Sequence, residues 1–336
     1  MAPGPVRHLV SQVTETTGGA PTGSRRTLLM PHAQLVTVTP AESSQKLLQF
    51  LERRLGGAVP RSAVQRWIRK GQVRVDKGRA KPFDRVAAGQ TVRIPPYIGG
   101  EEAPAAAGGP LEFAYEDDRL LAIAKPAGLA VHGGDGINDS VAARLSTAFA
   151  KADFAPTLAH RLDRDTSGLL LAARTYDALR DLNDRFASGR VDKLYLAWVL
   201  GCWPEPGTIL LEDRLEKRGE PGREKVEPGS GKAALAEVAC LVRGEARSLL
   251  AVRLLTGRTH QIRVQLASRG HPVAGDGKYG PPGQRTAMRL HCFALRPGEL
   301  ALTLAPPWSG PWTVPEDTMR AALKLLDTER PPVYSG

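Results

Sequence analysis

Five ionisable side chains crowd into six residues at His160, Arg161, Asp163, Arg164 and Asp165, in the run HRLDRDTSG that ends at Gly168. Burying that much charge is costly, so the run is expected to be a loop facing water or a charged ligand. Two arginines beside two carboxylates predict low Asp pKa values, leaving ionised oxygens as nucleophile or base. A salt-bridged turn fits the same residues. Thr166 and Ser167 can hydrogen-bond back to the loop and fix it. A second cluster, TGRTHQIR (Thr256–Arg263), reads as a glycine turn feeding a helix capped by Thr259. That helix is expected to end at Gly270, before His271-Pro272. A helix N-terminus beside Arg258 and His260 has the means to hold a phosphate, although the signal alone is weak.

Strand-like segments surround both clusters. Leu120–Ala124 and Leu169–Ala173 are apolar runs, and Tyr195–Leu200, Ala236–Val242 and Leu249–Leu254 alternate. Helical patterns lie between them at Ser140–Ala150, at Tyr176–Ala187 and from Thr259. Hairpin-like neighbours with few strand–helix–strand spacings predict an α+β body with a mixed, largely antiparallel sheet.

The charge is unevenly spread. Residues 1–96 hold 16 Lys and Arg against 5 Asp and Glu, whereas residues 97–336 hold 30 of each, so the net +11 belongs to the N-terminal part. A cationic module on a balanced body points to a polyanion as partner, nucleic acid before an anionic membrane surface. Ser43–Leu55 predicts a helix capped by Ser43 or Ser44. Arg61–Lys70 predicts a second, with Val64, Trp67 and Ile68 on one face and Arg66, Arg69 and Lys70 exposed. QVRVDKGRAKP then reads as a strand, a turn near Lys77-Gly78 and a return, and Thr91–Ile94 as a further strand. The expected organisation is a flexible segment over 1–40, a compact unit over 41–96, a Gly/Ala/Pro linker over 97–110 and a body over 111–330.

No apolar run approaches the roughly 20 residues of a membrane span. Cys202, Cys240 and Cys292 form no C-x-x-C pair and no zinc spacing, which predicts free thiols in a reducing compartment. That suggests the cytoplasm. The acid-poor first 40 residues also look like a mitochondrial transit peptide, a minor alternative.

The residues at 41–96, and RKGQVRVDKGRAKP above all, resemble the S4 RNA-binding domain. HRLDRDTSG is similar to the H-R-L-D-x-x-T-S-G loop of the RluA-type pseudouridine synthases. KPAGLAVHGG (Lys125–Gly134), KLYLAWVLG (Lys193–Gly201) and GRTHQIRV (Gly257–Val264) resemble that family's other motifs, in the family's order. The wording is most similar to the C-type branch, which acts on large-subunit (23S) ribosomal RNA.

The resemblance implies a reaction that breaks the N1–C1′ bond of a uridine, turns the uracil and rejoins it through C5. Such a reaction needs neither cofactor nor metal. It makes Asp163 the catalytic carboxylate, Tyr195 the ring that stacks on the target base and shares in proton handling, and Arg263 the partner that holds Asp163 ionised and aimed. Attack at C1′, elimination at the ribose and addition to the ring all stay open. Arg161 would enter the RNA stack as the uridine flips out, because a planar cation can fill the gap while neutralising phosphate. Arg258 and His260 in the last motif, and Arg66, Arg69, Lys70, Arg74 and Arg79 in the basic unit, are the further candidate RNA contacts. A monomer is the default.

Asp165 falls at a variable position of the pattern and is expected to be structural. His160 is expected to brace the loop, His132 and His271 to pack or cap, and Trp67 to sit in the small unit's core. Arg164 either meets phosphate or balances Asp165. Gln265 stands where the family usually has His; it can donate a hydrogen bond but cannot titrate. Two rival readings remain. One is a non-catalytic RNA binder on the same scaffold. The other is a glycoside hydrolase using Asp163 and Asp165, against which the 5% aromatic content and the basic module speak.

Overall fold

The computed structural model describes residues 27–30, 32–55, 59–101, 108–133, 137, 139–219, 225–283 and 286–329. Most of the expected tail (1–26), the middle of the expected linker (102–107), Gly134 of the KPAGLAVHGG run and the chain from 330 onward lie outside the described residues.

The basic N-terminal part forms a unit of its own. Helices α1 (Leu47–Arg54) and α2 (Arg61–Arg69) pack on a three-stranded sheet of β2 (Gln34–Thr37), β3 (Arg74–Val75) and β4 (Thr91–Ile94), ordered β2-β4-β3. Apolar spacing of three and four along α1 and α2 turns Leu47, Leu51, Val64 and Ile68 into one core with Val92 and Ile94. Trp67 lies in that core, edge-on to Tyr97 at 5.5 Å, as expected. Several expectations are corrected here. Part of the expected tail is strand: β1 (Thr27–Met30) pairs with β5 (Tyr97–Glu101), which occupies the start of the expected linker. The first helix opens at Leu47, not beside Ser43, because Ser44 is left-handed (φ 70) and Lys46 extended. No full return strand follows β3: Asp76 and Lys77 are both left-handed, and the pairing closes after a single Val75–Gly78 bridge.

The body is built on a mixed sheet of β6 (Phe113–Glu116), β7 (Leu120–Lys125), β8 (Thr157–Leu158), β9 (Ser167–Ala173), β10 (Asp192–Leu200), β11 (Thr208–Arg218), β12 (Lys225–Pro228), β13 (Lys232–Arg243), β14 (Arg247–Leu254), β15 (Leu290–Arg296) and β16 (Leu302–Thr303). The long path runs β12-β11-β13-β14-β10-β15-β9-β7-β6, with β16 beside β15 and β8 beside β9. Helices α3 (Val141–Ala148), α4 (Tyr176–Ala187), α5 (Gln261–Ala267) and α6 (Glu316–Leu323) cover its faces. Among the described residues no helix is long and apolar enough to cross a membrane.

The strand period of two decides which side chains meet. On β10, Tyr195, Ala197 and Val199 face a core shared with α3, α4 and α5, while Leu194, Leu196 and Trp198 face a second core shared with α6. β9 is buried throughout, which is why its sequence is a continuous apolar run. The N-terminal unit touches this body through Arg53, whose guanidinium lies 4.9 Å from the centre of the Phe154 ring and donates to Thr157.

One seam joins the two halves of the sheet. β9 and β15 run parallel through Ser167↔His291 and Gly168↔Cys292, the other named strand pairs of that sheet being antiparallel. Gly168 has φ 117, and a Cβ there would stand 2.4 Å from the Cys292 carbonyl oxygen. The seam is pinned by buried His291. Its Nε2 meets the Leu304 carbonyl at 2.8 Å and must donate, so its Nδ1, 2.8 Å from Ser167 Oγ, accepts the serine proton.

Gly168→Ala should therefore cost at least ~2 kcal/mol of stability by urea unfolding, from the left-handed φ and the backbone clash together. Burial holds His291 neutral, with its pKa lowered from 6.5 to about 4 against the opposing Leu304 hydrogen bond. Because the folded value lies below the unfolded one, the unfolded chain binds more protons in that window. Stability should then fall as pH drops from 6.5 to 4, by at most ~1.4 kcal/mol per pH unit from this group. Thermal melts across that range should show a shallower slope for His291→Gln.

Candidate active site

The HRLDRDTSG run is a loop that delivers its last residues into β9. Its turn is closed by the Thr166 N–H on the Asp163 carbonyl, at 3.1 Å. From beneath, Lys125 ties it to the end of β7. The Lys125 ammonium is 1% exposed and donates to the carbonyls of Pro126, Leu129 and Arg164, each at 2.8 Å. Burial pushes its pKa from 10.5 down to about 8, opposed by the carboxylates of Asp165 and Asp163. His160 braces the loop as expected, its Nε2 accepting the Leu171 N–H at 3.0 Å. Arg164 pairs with Asp165 at 3.1 Å on the surface, so these two balance each other.

Asp163 is held from a distant part of the chain. Arg263 on α5 donates from Nη1 to Asp163 Oδ2 at 3.0 Å. The same guanidinium grips Asp276 side-on along one edge, Nε to Oδ2 at 2.7 Å and Nη2 to Oδ1 at 2.8 Å. Asp276 is fully buried and also accepts the N–H groups of Lys278 and Tyr279. Burial disfavours the Arg263 charge, but the Asp276 and Asp163 carboxylates outweigh it and hold the guanidinium above the ordinary arginine range. Asp276 is likewise kept below the usual carboxylate range, its burial being overcome by Arg263 and the two N–H bonds. Tyr279 lies under the Arg263 guanidinium at 5.1 Å. Among the described residues Asp163 Oδ1 has no hydrogen bond.

Tyr195 enters from β10, whose alternation aims it at the same place. Burial raises its pKa well above 10, aided by the Cys292 thiol, which it meets across the β10–β15 pair, and by the Asp163 carboxylate. The phenol is therefore protonated at neutral pH.

The expected cap of the second cluster is corrected. Helix α5 begins at Gln261, and Thr259 does not cap it. His260 precedes it in the left-handed region (φ 54), and the Gln261 side chain holds the turn by accepting from the Arg258 N–H and the Thr256 hydroxyl. Gln265 is fully buried and donates to Asp213 at 2.8 Å and the Ala234 carbonyl at 3.0 Å, so it anchors α5 to the sheet.

These elements enclose a cleft of about 1030 Å³. Asp163, Tyr195, Arg263, Arg161, Arg258 and His260 all line it, with Lys193, Arg214 and Lys232 adding positive charge. That volume exceeds what one small ligand needs, and its cationic walls suit a nucleotide with flanking phosphates. Arg66, Arg69, Lys70 and Arg79 are exposed in the N-terminal unit, with Arg74 half-buried on β3; none of the five lines the cleft. Sequence reasoning missed Asp276, Tyr279 and Lys125. The first two sit in GDGKYG, where an Asp between glycines and a Tyr three residues on were the signals available.

Known proteins resemble this chain in sequence and fold. The RNA pseudouridylate synthase family pattern matches residues 119–268, and the S4 domain pattern matches residues 45–92. A "Ribosomal large subunit pseudouridine synthase C" of Yersinia pestis is 39% identical over 259 residues, covering 74% of this chain and 80% of that protein. The protein of the same name from Haemophilus influenzae is 37% identical over 280 residues, covering 78% and 86%. Among solved structures, human RNA Pseudouridylate Synthase Domain Containing 1 superposes with a TM-score of 0.55 at 25% identity, over 66% of this chain and 97% of its own. Identity at that level over most of both chains shows the family: this chain is an RNA pseudouridine synthase with an S4 domain ahead of the catalytic region.

Proposed function

We propose that this enzyme isomerises specific uridines of large-subunit ribosomal RNA, or of its precursor particle, with Asp163 as the catalytic carboxylate. The observation that carries the reading is that buried Arg263 fixes one oxygen of Asp163 on the cleft and leaves the other open. Substrate class follows from the relatives, whose names specify the ribosomal large subunit.

In this reading a uridine leaves its helix, at a cost of a few kcal/mol of lost stacking, and enters the cleft. Arg161, exposed at the mouth, fills the place it vacates. Arg258 and the cationic walls hold the flanking backbone. Tyr195 lies against the base with its hydroxyl protonated, so it can donate or relay a proton but does not begin as a phenolate. Asp163 Oδ1 meets the ribose or the ring as the N1–C1′ bond breaks. The detached uracil turns within the cleft and closes a bond from C5 to C1′, and the C5 proton passes to N1 through solvent or a cleft group. Arg263 holds the carboxylate in place by its hydrogen bond to Oδ2, a preorganised electrostatic contribution that needs no rearrangement during reaction.

Arg66, Arg69, Lys70, Arg74 and Arg79 supply affinity at a separate surface. Thirteen Lys and Arg against 4 Asp and Glu in residues 41–96 support that role. A monomer in the cytoplasm is the proposed setting, supported for location by the free cysteines.

Carbodiimide adduct mapping by primer extension tests this on unmodified large-subunit RNA treated with wild type and with Asp163→Asn. New stops should appear with wild type only, while the variant keeps its RNA affinity within roughly threefold. Equal stops from both would remove Asp163 from the chemistry. No stops from either, with tight binding, would remove this RNA as substrate.

A further inference from the structure

His260 is more constrained than an RNA contact needs to be. It holds a left-handed backbone (φ 54, ψ 21) without glycine's freedom, and its side chain makes no helix cap. Such strain persists only where the surroundings impose it, and it gathers at functional sites. The ring has two neighbours. Nδ1 lies 2.8 Å from the Tyr279 hydroxyl, and Nε2 lies 3.9 Å from Asp163 Oδ2, the oxygen already held by Arg263.

The two neighbours together favour one tautomer. The Tyr279 oxygen accepts the Val226 N–H at 3.1 Å and retains its own proton to donate. His260 Nδ1 is the acceptor within reach, so the imidazole proton belongs on Nε2. The opposite tautomer would turn a nitrogen lone pair toward the Asp163 anion. Burial lowers the His260 pKa, with Arg263 and Lys278 adding to the effect and the Asp163 and Asp276 carboxylates opposing it, so the ring is neutral at neutral pH.

We propose that His260 is a positioning residue: its Nε2–H, fixed by the Tyr279 hydroxyl, closes onto Asp163 Oδ2 when a flipped uridine fills the cleft, so that two donors lock one carboxylate oxygen and Oδ1 alone faces the substrate. The 3.9 Å separation in the structure is too long for a hydrogen bond, and the proposed closure shortens it. One donor leaves a carboxylate free to rock about its Cβ–Cγ bond; two on the same oxygen do not. Tyr279 serves both donors, since its ring supports Arg263 while its hydroxyl sets His260. The role excludes proton transfer by His260 and rests on the reading of Asp163 as the catalytic carboxylate.

The test has two independent arms. Long-range 15N–1H NMR of the full-length protein at pH 7.5 should show His260 protonated at Nε2 with Nδ1 an acceptor, and Tyr279→Phe should mix the tautomers. In single turnover on the large-subunit RNA, His260→Leu should slow the chemical step by about 100-fold while RNA affinity shifts by less than roughly threefold. His260→Gln restores a donor and should recover to within about tenfold of wild type. A proton on Nδ1, a rate for His260→Leu within threefold of wild type, or a Gln variant no better than Leu would each overturn the proposal. If the wild type forms no pseudouridine in this RNA, the substrate reading fails, and the NMR arm still decides the tautomer.

Discussion

A guanidinium buried to 6% exposure between two carboxylates is the constraint around which the body is arranged. Taking Arg263 out of water would cost several kcal/mol if it were unpaired. Asp276 repays that with two-pronged geometry, and is itself neutralised and bonded by main-chain N–H groups. What remains is a charged donor already desolvated and rigid before any ligand arrives. Asp163 receives a hydrogen bond from the outward-facing Nη1. A carboxylate in this position is aimed by a charged partner that Asp276 keeps from moving away.

Everything else in the site serves to bring that partner within 3.0 Å of a loop 100 residues earlier in the chain. Helix α5 is tied to the sheet by Gln265 and by Gln261, whose side chain also shapes the turn before it. The Asp163 loop is fastened at its base by Lys125 and by the β9–β15 seam, where Gly168 permits the approach of Cys292 and His291 clasps Ser167. Tyr195 arrives through strand alternation alone. The interior polar groups are thus spent on geometry, and the cleft-facing ones are left for RNA.

Much of this was legible in the sequence. Tyr176–Ala187 reads as a helix and is one, with Thr175 capping it, because its apolar spacing and its cap agree. The apolar runs at Leu120 and Leu169 and the alternation at Tyr195 and Leu249 mark strands correctly, since central strands have little freedom in composition. Strand β11 escaped notice because half of it is solvent-facing and Glu212, Asp213, Arg214 and Glu216 dilute its pattern. β1 and β5 lie in Gly- and Thr-rich sequence and exist through a pairing that spans 27 to 101, which no local signal announces. The cleft residues of the four motifs were readable from resemblance. Asp276 and Tyr279 were not, because a GDGKYG stretch looks like any turn until tertiary contacts bring it against Arg263. His260 was expected within a capped helix; it stands before the helix with a left-handed backbone, its ring beside Tyr279 and Asp163.

The most direct measurement is a double-mutant cycle on Arg263→Lys and Asp276→Asn, read as the single-turnover rate of pseudouridine formation, with thermal melts confirming that each variant is folded. If the two act as one unit on Asp163, each change alone should slow the reaction by about 100-fold, and the pair should be within roughly threefold of the worse single variant. Losses that multiply, or an Asp276→Asn enzyme as fast as wild type, would contradict the account by showing that Arg263 needs no second carboxylate to hold the first.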